Sequence, residues 1–216
     1  FRQVQDALRK ADQLKPQTQG MSSDAIMQAL GMPGVAAEGR FFPDTYTYAK
    51  GSSDLAVLRR AAHAMDKKLA AAWAQRGPQS PLQTAEQALI LASIVEKETG
   101  KGSDRAMVSS VFNNRLRIGM RLQTDPTVIY GLGDSFDGNL RKKDLLTDTP
   151  WNTYTRVGLP PTPIAMPGKA SLQAAVQPAP SKALYFVARG DGSSEFSATL
   201  DEHNRAVNRY QRRIGN

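Results

Sequence analysis

From Ala88 to Val95 the chain offers eight consecutive residues of which only Ser93 is polar. Pro81 and Thr84 stand before this run and Gly100 after it, start and stop signals that predict one helix over Ala85–Thr99. The run falls far short of the ~20 apolar residues that cross a bilayer. Its apolar face therefore has to be covered by the rest of the chain. With Leu89 at 0° and about 100° per residue, Ile90, Leu91, Ile94 and Val95 fall near 100°, 200°, 140° and 240°, a stripe centred near 170°.

Two glutamates close this helix, and the same wheel separates them. Glu96 falls near 340°, beside Ser93 and Lys97, and reads as solvated, whereas Glu98 falls near 180°, in the middle of the stripe. Desolvation on that face disfavours the charged form of Glu98. Its place in the last turn adds the unfavourable end of the helix dipole. Both effects raise its pKa, which a general acid needs at neutral pH. A Glu paired with Arg105 or Arg115, where this helix meets the next, is the structural alternative, and periodicity alone leaves both open.

Elsewhere, apolar spacing predicts a helix over Phe1–Leu14, cap and stop residues predict helices over Ser23–Leu30, Ser53–Arg76 and Asp104–Ile118, and a last helix is expected over Asp201–Arg213. Gly39–Gly51 reads as a loop or short strand. Ala183–Arg189 and Glu195–Leu200 are β-rich runs on either side of Gly190-Asp191-Gly192-Ser193, the pattern of a hairpin. Six of the 13 prolines lie between Pro160 and Pro180, so Arg121–Pro180 reads as loops and short pieces. The fold class expected is α+β, mostly helical, with a loop-rich cleft and a small antiparallel hairpin.

Composition removes several functions. The chain has 216 residues, enough for one large domain or two small ones. It contains no cysteine, which excludes disulfides, thiolate catalysis and thiolate metal sites and permits an oxidising compartment. The only histidines, His63 and His203, lack clustered carboxylates, so no metal and no cofactor is expected. Asp134–Asn139 lacks the alternating ligands and terminal Glu of a calcium loop and reads as a turn. A net charge of +8 draws the chain toward anions. The densest basic stretches, Arg115 to Arg121 and Arg141-Lys142-Lys143, have no interleaved aromatics, which argues against nucleic acid. The chain starts at Phe1 without an initiator Met, so it is expected to be a piece of a longer protein.

Leu91-Ala92-Ser93-Ile94-Val95-Glu96-Lys97-Glu98-Thr99 resembles the helix end of lysozyme-like lytic transglycosylases, with Glu98-Thr99 where those carry Glu-Ser. Ala92–Gly100 is more specifically similar to the signature of the YceG-like (MltG-type) endolytic murein transglycosylases. So are Val111–Leu116, Met120–Gly131 and Gly158–Pro161. Phe42–Thr45, Tyr185–Ala188 and His203-Asn204 match as well, in family order. The resemblance covers residues 38–210, which suggests a catalytic domain over 38–216 preceded by a helical linking segment over 1–37.

The resemblance implies a lytic transglycosylase that cuts the MurNAc–GlcNAc bond inside nascent peptidoglycan strands, leaving 1,6-anhydro-MurNAc ends, with Glu98 as its catalytic residue. Gln123, Thr124 and Asp125, and Asn152 and Tyr154 in a loop beside Pro150, then become candidates to hydrogen-bond the glycan. A capped turn before Pro126 and a packed tyrosine are their structural alternatives. Pro160–Pro163 would form a rigid cleft wall, and Tyr130 would pack. The family further implies penicillin-binding synthases as partners and a place at the periplasmic face of the inner membrane, through an anchor absent from this chain. The competing reading is a noncatalytic peptidoglycan-binding scaffold.

Overall fold

The computed structural model describes residues 1–211. Its centre is the apolar run. Helix α4 (Ala85–Glu98) starts at Thr84, whose hydroxyl accepts from the Gln87 N–H at 3.2 Å. Every residue from Ala88 to Val95 is buried. Helices α3 (Asp54–Ala74), α5 (Arg105–Arg117), α6 (Asp125–Leu132) and α8 (Lys169–Val176) all pack on it.

Complete burial corrects the one-sided stripe. Ser93, on the face expected to be polar, has no exposed surface; its Oγ donates to the Ile90 carbonyl at 2.7 Å and accepts from the Ile164 N–H at 2.9 Å. Glu96 is not solvated either. It is half-buried, and its Oε2 accepts from the Gly168 N–H at 3.0 Å. Of the last two turns only Lys97 stays exposed; the proline-rich segment 160–168 covers the rest of the face expected to be polar.

The proline argument also missed regular structure. The stretch 121–180 contains α6, α7 (Lys142–Leu146) and α8. Pro126 sits in the first turn of α6, where its missing N–H has no helical partner to lose. Pro167 and Pro178 lie outside α8 and bound it. Between them Leu172, Ala174, Ala175 and Val176 are buried against α4 and α5.

The main core joins Leu89, Leu91, Ile94 and Val95 to Val108, Phe112, Leu122 and Leu172. A second cluster joins Ile26 and Met27 of α2 (Ser23–Ala29) to Phe41, Leu58, Ala61 and Ala62, with Phe1, Val4 and Leu8 of the α1 region packed against it. Residues 1–37 are thus seated on the N-terminal half of α3. Helix α1 (Arg2–Lys10) ends before the expected Leu14, because Gln13 turns at a φ of 67° and Lys15 pairs with Ser53. Gly39 lets residues 38–42 meet the proline wall: its φ is 83°, and a Cβ there would lie 2.5 Å from that of Pro163.

Strands β1 (Tyr185–Ala188) and β2 (Ser194–Ser197) form the expected antiparallel hairpin, in register Tyr185 to Ser197 and Ala188 to Ser194. Helix α9 (Leu200–Tyr210) packs on it, opened by Thr199 and Glu202 in a reciprocal cap. Residues 212 and 213 of the expected last helix lie outside the described residues. Helix α5 holds this unit. Phe112 meets Phe186 edge-on at 6.0 Å, and Asn114 Nδ2 donates to the Ser181 and Ala183 carbonyls at 3.0 and 2.9 Å. Arg115 Nε donates to the Leu184 carbonyl at 2.7 Å.

Ser93→Ala leaves the buried Ile164 N–H without its acceptor. It is expected to lower stability by about 1–3 kcal/mol, read as a lower urea midpoint, while Lys97→Ala, at an exposed position, stays within about 0.5 kcal/mol of the parent.

Candidate active site

Glu98 is the last residue of α4; Thr99 leaves the helix with extended backbone and donates its hydroxyl back to the Val95 carbonyl at 2.7 Å. The side chain of Glu98 is half-buried and accepts, through Oε1, a hydrogen bond from the Thr124 hydroxyl. Its pKa is raised, chiefly by burial. The Thr124 bond opposes the shift, the Asp125 charge adds to it, and Arg115 opposes it. Arg115 is near enough to be felt but forms no ion pair with Glu98. It donates instead to the main-chain carbonyls of Leu184 and Leu122, at 2.7 and 2.6 Å, and lies 5.4 Å over the Tyr185 ring. Arg105 makes no ion pair with it either. Glu98 therefore carries a net tendency to stay protonated, with no ion pair to cancel it.

Opposite Glu98 stands the turn from α5 into α6. Leu122 is buried and anchors the turn, whereas Gln123 is exposed with a φ of 49°, a left-handed conformation uncommon outside glycine. Thr124 is buried. Asp125 opens α6, exposed, and its Oδ1 accepts from the Tyr154 hydroxyl at 2.5 Å. Burial raises the Tyr154 pKa, and the bond to Asp125 with the charges of Asp125 and Glu98 raises it further, so the phenol keeps its proton.

The candidates thus divide by location. Thr124 bonds the Glu98 carboxyl, Asp125 and Tyr154 are close enough to feel its charge, and Gln123 is the exposed residue next to Thr124. Asn152 lies apart from these. It is fully buried, its Nδ2 donates to the Thr147 and Leu145 carbonyls at 2.7 and 3.1 Å, and its Oδ1 accepts from the Tyr154 N–H at 2.8 Å. Asn152 shapes the loop that presents Tyr154. Tyr130 packs edge-on against Trp151 at 5.6 Å, and Trp151 Nε1 donates to Thr162 Oγ1 at 2.9 Å, which ties the loop to the proline wall.

Sequence reasoning considered Arg115 only as an ion-pair partner of Glu98 and gave Tyr185 and Thr153 no role at the site. His203 stacks on Tyr185 at 5.2 Å, and burial together with Arg115 pushes its pKa down, so this imidazole is neutral near pH 7. The pairing of Arg115 with Tyr185, 70 positions apart, has no local signature. Among the described residues no three His, Asp or Glu side chains converge on a point that could hold a metal ion. Asp137 is instead held by Arg141 at 2.6 Å, which lowers its pKa to about 2.

The model of the YceG-like family matches residues 1–209. The endolytic murein transglycosylase of Bacillus subtilis is 38% identical over 173 residues, 80% of this chain and 48% of that protein. The endolytic murein transglycosylase of Streptococcus pneumoniae is 31% identical over 175 residues, 79% of this chain and 31% of that protein. The chain thus spans half or less of the relatives it matches. A crystal structure of a YceG-like protein from Listeria monocytogenes superposes with a TM-score of 0.71 at 32% identity, covering 95% of this chain and 67% of that one.

The raised pKa of Glu98 has a thermodynamic consequence. The folded state holds the Glu98 proton more tightly than the unfolded chain, so this residue's contribution to stability falls as pH rises from the ordinary Glu value of about 4.3 through the raised one. Glu98→Gln removes that loss. Its melting temperature is expected to exceed that of the parent at pH 8, with the gap shrinking below about pH 4; a parent more stable than the variant at pH 8 would contradict the raised pKa.

Proposed function

The chain belongs to the YceG-like family, and from that premise we propose that it is the catalytic part of a lytic transglycosylase that cuts the MurNAc–GlcNAc bond within peptidoglycan strands. The observation that carries this reading is Glu98: a carboxyl at the end of a buried helix, held toward its protonated form by desolvation, beside Thr124, Asp125 and Tyr154.

One carboxyl group suffices for the proposed reaction. Protonated Glu98 donates to the glycosidic oxygen as the bond to the muramyl C1 breaks, and the GlcNAc side leaves with the proton. The muramyl C6 hydroxyl then attacks C1 of the oxocarbenium-like species, and the Glu98 carboxylate accepts the hydroxyl proton. The product is a 1,6-anhydro ring, and Glu98 is restored to its acid form. Hydrolytic glycosidases ordinarily need a second carboxylate to activate water or attack the sugar. Asp125 is the carboxylate nearest to that role in this site, and its engagement with the Tyr154 hydroxyl favours the one-carboxyl route. Gln123, Asp125 and Tyr154 would hydrogen-bond the glycan, and the exposed side chain of Gln123 is the most available of them.

Cleavage of nascent strands places this activity outside the cytoplasm. We further propose an anchor beyond this chain at the outer face of the cytoplasmic membrane and peptidoglycan synthases as partners. No helix among the described residues is long and apolar enough to cross a membrane.

Glu98→Gln is expected to abolish cleavage of glycan strands with the fold retained. Mass spectrometry of the digest identifies the chemistry: anhydromuropeptides mark a lytic transglycosylase, new reducing ends a hydrolase, and unchanged glycan a scaffold. The pH–rate profile should carry an alkaline limb above the ~4.3 of free Glu, because burial raises the acid's pKa.

Gln123→Ala should slow cleavage roughly 5- to 150-fold, the equivalent of about 1–3 kcal/mol of hydrogen bonding lost in the transition state. Lys142→Ala, on an exposed helix end, should stay within about twofold of the parent. The reverse order would move the glycan path to the basic run.

A further inference from the structure

Thr124 is gripped at both ends of its own residue. Its N–H donates to Thr153 Oγ1 at 3.1 Å, and its carbonyl accepts from Thr127 Oγ1 at 2.7 Å. The two gripping hydroxyls are themselves 2.8 Å apart. A threonine hydroxyl has a single proton. That of Thr127 goes to the Thr124 carbonyl, so Thr153 must donate to Thr127. The result is a closed ring: Thr124 N–H to Thr153, Thr153 to Thr127, Thr127 to the Thr124 carbonyl. Thr153 adds a second hold, its carbonyl accepting from the Gln123 N–H at 3.1 Å.

Thr124, Thr127 and Thr153 are each no more than 2% exposed, so water does not compete for these bonds. The ring also braces the uncommon backbone of Gln123, whose φ of 49° needs support from its surroundings. The ring leaves one group of Thr124 outside it, the hydroxyl, and that hydroxyl donates to Glu98 Oε1.

We propose that Thr153 is a positioning residue for the acid: through the hydroxyl ring with Thr127 it fixes the Thr124 peptide so that the Thr124 hydroxyl holds Glu98 Oε1 as an acceptor and leaves the transferable proton on Oε2. This inference rests on the reading of Glu98 as the acid. Thr153 acts on Glu98 only through Thr124, and it comes from a loop 55 positions further along the chain. Without the ring the carboxyl group can rotate and carry its proton on either oxygen, and only one of the two geometries is productive.

The test compares the parent chain with Thr153→Val, Thr153→Ser, Thr127→Val and Glu98→Gln on isolated glycan strands, reading kcat, KM and the pH–rate profile. Valine keeps the shape and removes the hydroxyl; serine keeps the hydroxyl. Thr153→Val is expected to lose about 10- to 100-fold in kcat with KM changed by less than about twofold. Its alkaline limb should move to higher pH, because the Thr124 bond that favours the Glu98 carboxylate is weakened. Arg115 and Asp125, the charges that face Glu98 from α5 and α6, are untouched by the change.

Thr153→Ser should recover most of the rate and the parental limb. Thr127→Val opens the same ring from the other side and should displace the limb in the same direction, which keeps the test available if Thr153→Val folds poorly. A parental kcat and limb in both valine variants, or a loss of rate with the limb unmoved, would overturn the proposal and leave Thr153 a purely structural residue. Substantial activity in Glu98→Gln would instead defeat the underlying reading of the site.

Discussion

Burial of α4 on every side is the constraint from which the rest of the molecule follows. A helix in that position cannot leave polar side chains to water, and a buried polar group without a partner costs about 1–3 kcal/mol. Apart from the exposed Lys97, the polar residues in its second half are accordingly matched to neighbouring segments. Ser93 takes the Ile164 N–H, Glu96 takes the Gly168 N–H, and Glu98 takes the Thr124 hydroxyl. The two partners of Ser93 and Glu96 are backbone groups of the proline-rich segment, so the same helix that presents the candidate acid also fixes the wall beside it. Placing the carboxyl at the end of a rigid, fully packed element limits its freedom far more than a surface loop could.

The legible part of the sequence was the part governed by local rules. Caps and stops marked α3 and α4 closely, because Ser53 and Thr84 each accept from a helix-opening N–H; the caps of α2 and α9 are Ser22, one residue before the expected Ser23, and Thr199, which lies within the expected second β-run. The hairpin was legible from its glycine turn. Glu98 stood out because its place on the wheel contradicts its charge. Helix α8 was hidden because proline density was read as an average over the segment, whereas the positions of the prolines decide the matter: Pro167 and Pro178 stand outside the helix they delimit. Glu96 was misjudged for a related reason. A helical wheel ranks faces against one another, but it cannot tell that a distant segment returns to cover the more polar one.

The site's remaining residues were illegible in another sense. Arg115 and Thr153 carry no unusual local pattern, and their importance comes from what the fold brings to them. Arg115 is a buried cation held by two main-chain carbonyls and an aromatic ring. That arrangement disperses its charge without neutralising it, so it can influence Glu98 without consuming it as an ion-pair partner. Asn152 shows the converse. A polar residue in a loop beside a candidate site looks like a ligand contact until its burial shows that the backbone around it claims all its hydrogen-bonding capacity.

The attachment of the hairpin to α5 has a further consequence. Asn114 and Arg115 hold residues 181–184 by their carbonyl oxygens, and every amino acid supplies the same carbonyl. Such a grip is indifferent to spelling: Lys182 and Leu184 can drift to other side chains without the strand being released. The information for these bonds is therefore written on one partner, the helix that grips, whereas Tyr185 and Phe186 dock through their own side chains on Arg115 and Phe112. Substitutions at Asn114 or Arg115 and at Lys182 or Leu184 should differ sharply in effect although the two surfaces are in contact, an asymmetry that contact maps, being symmetric, do not convey.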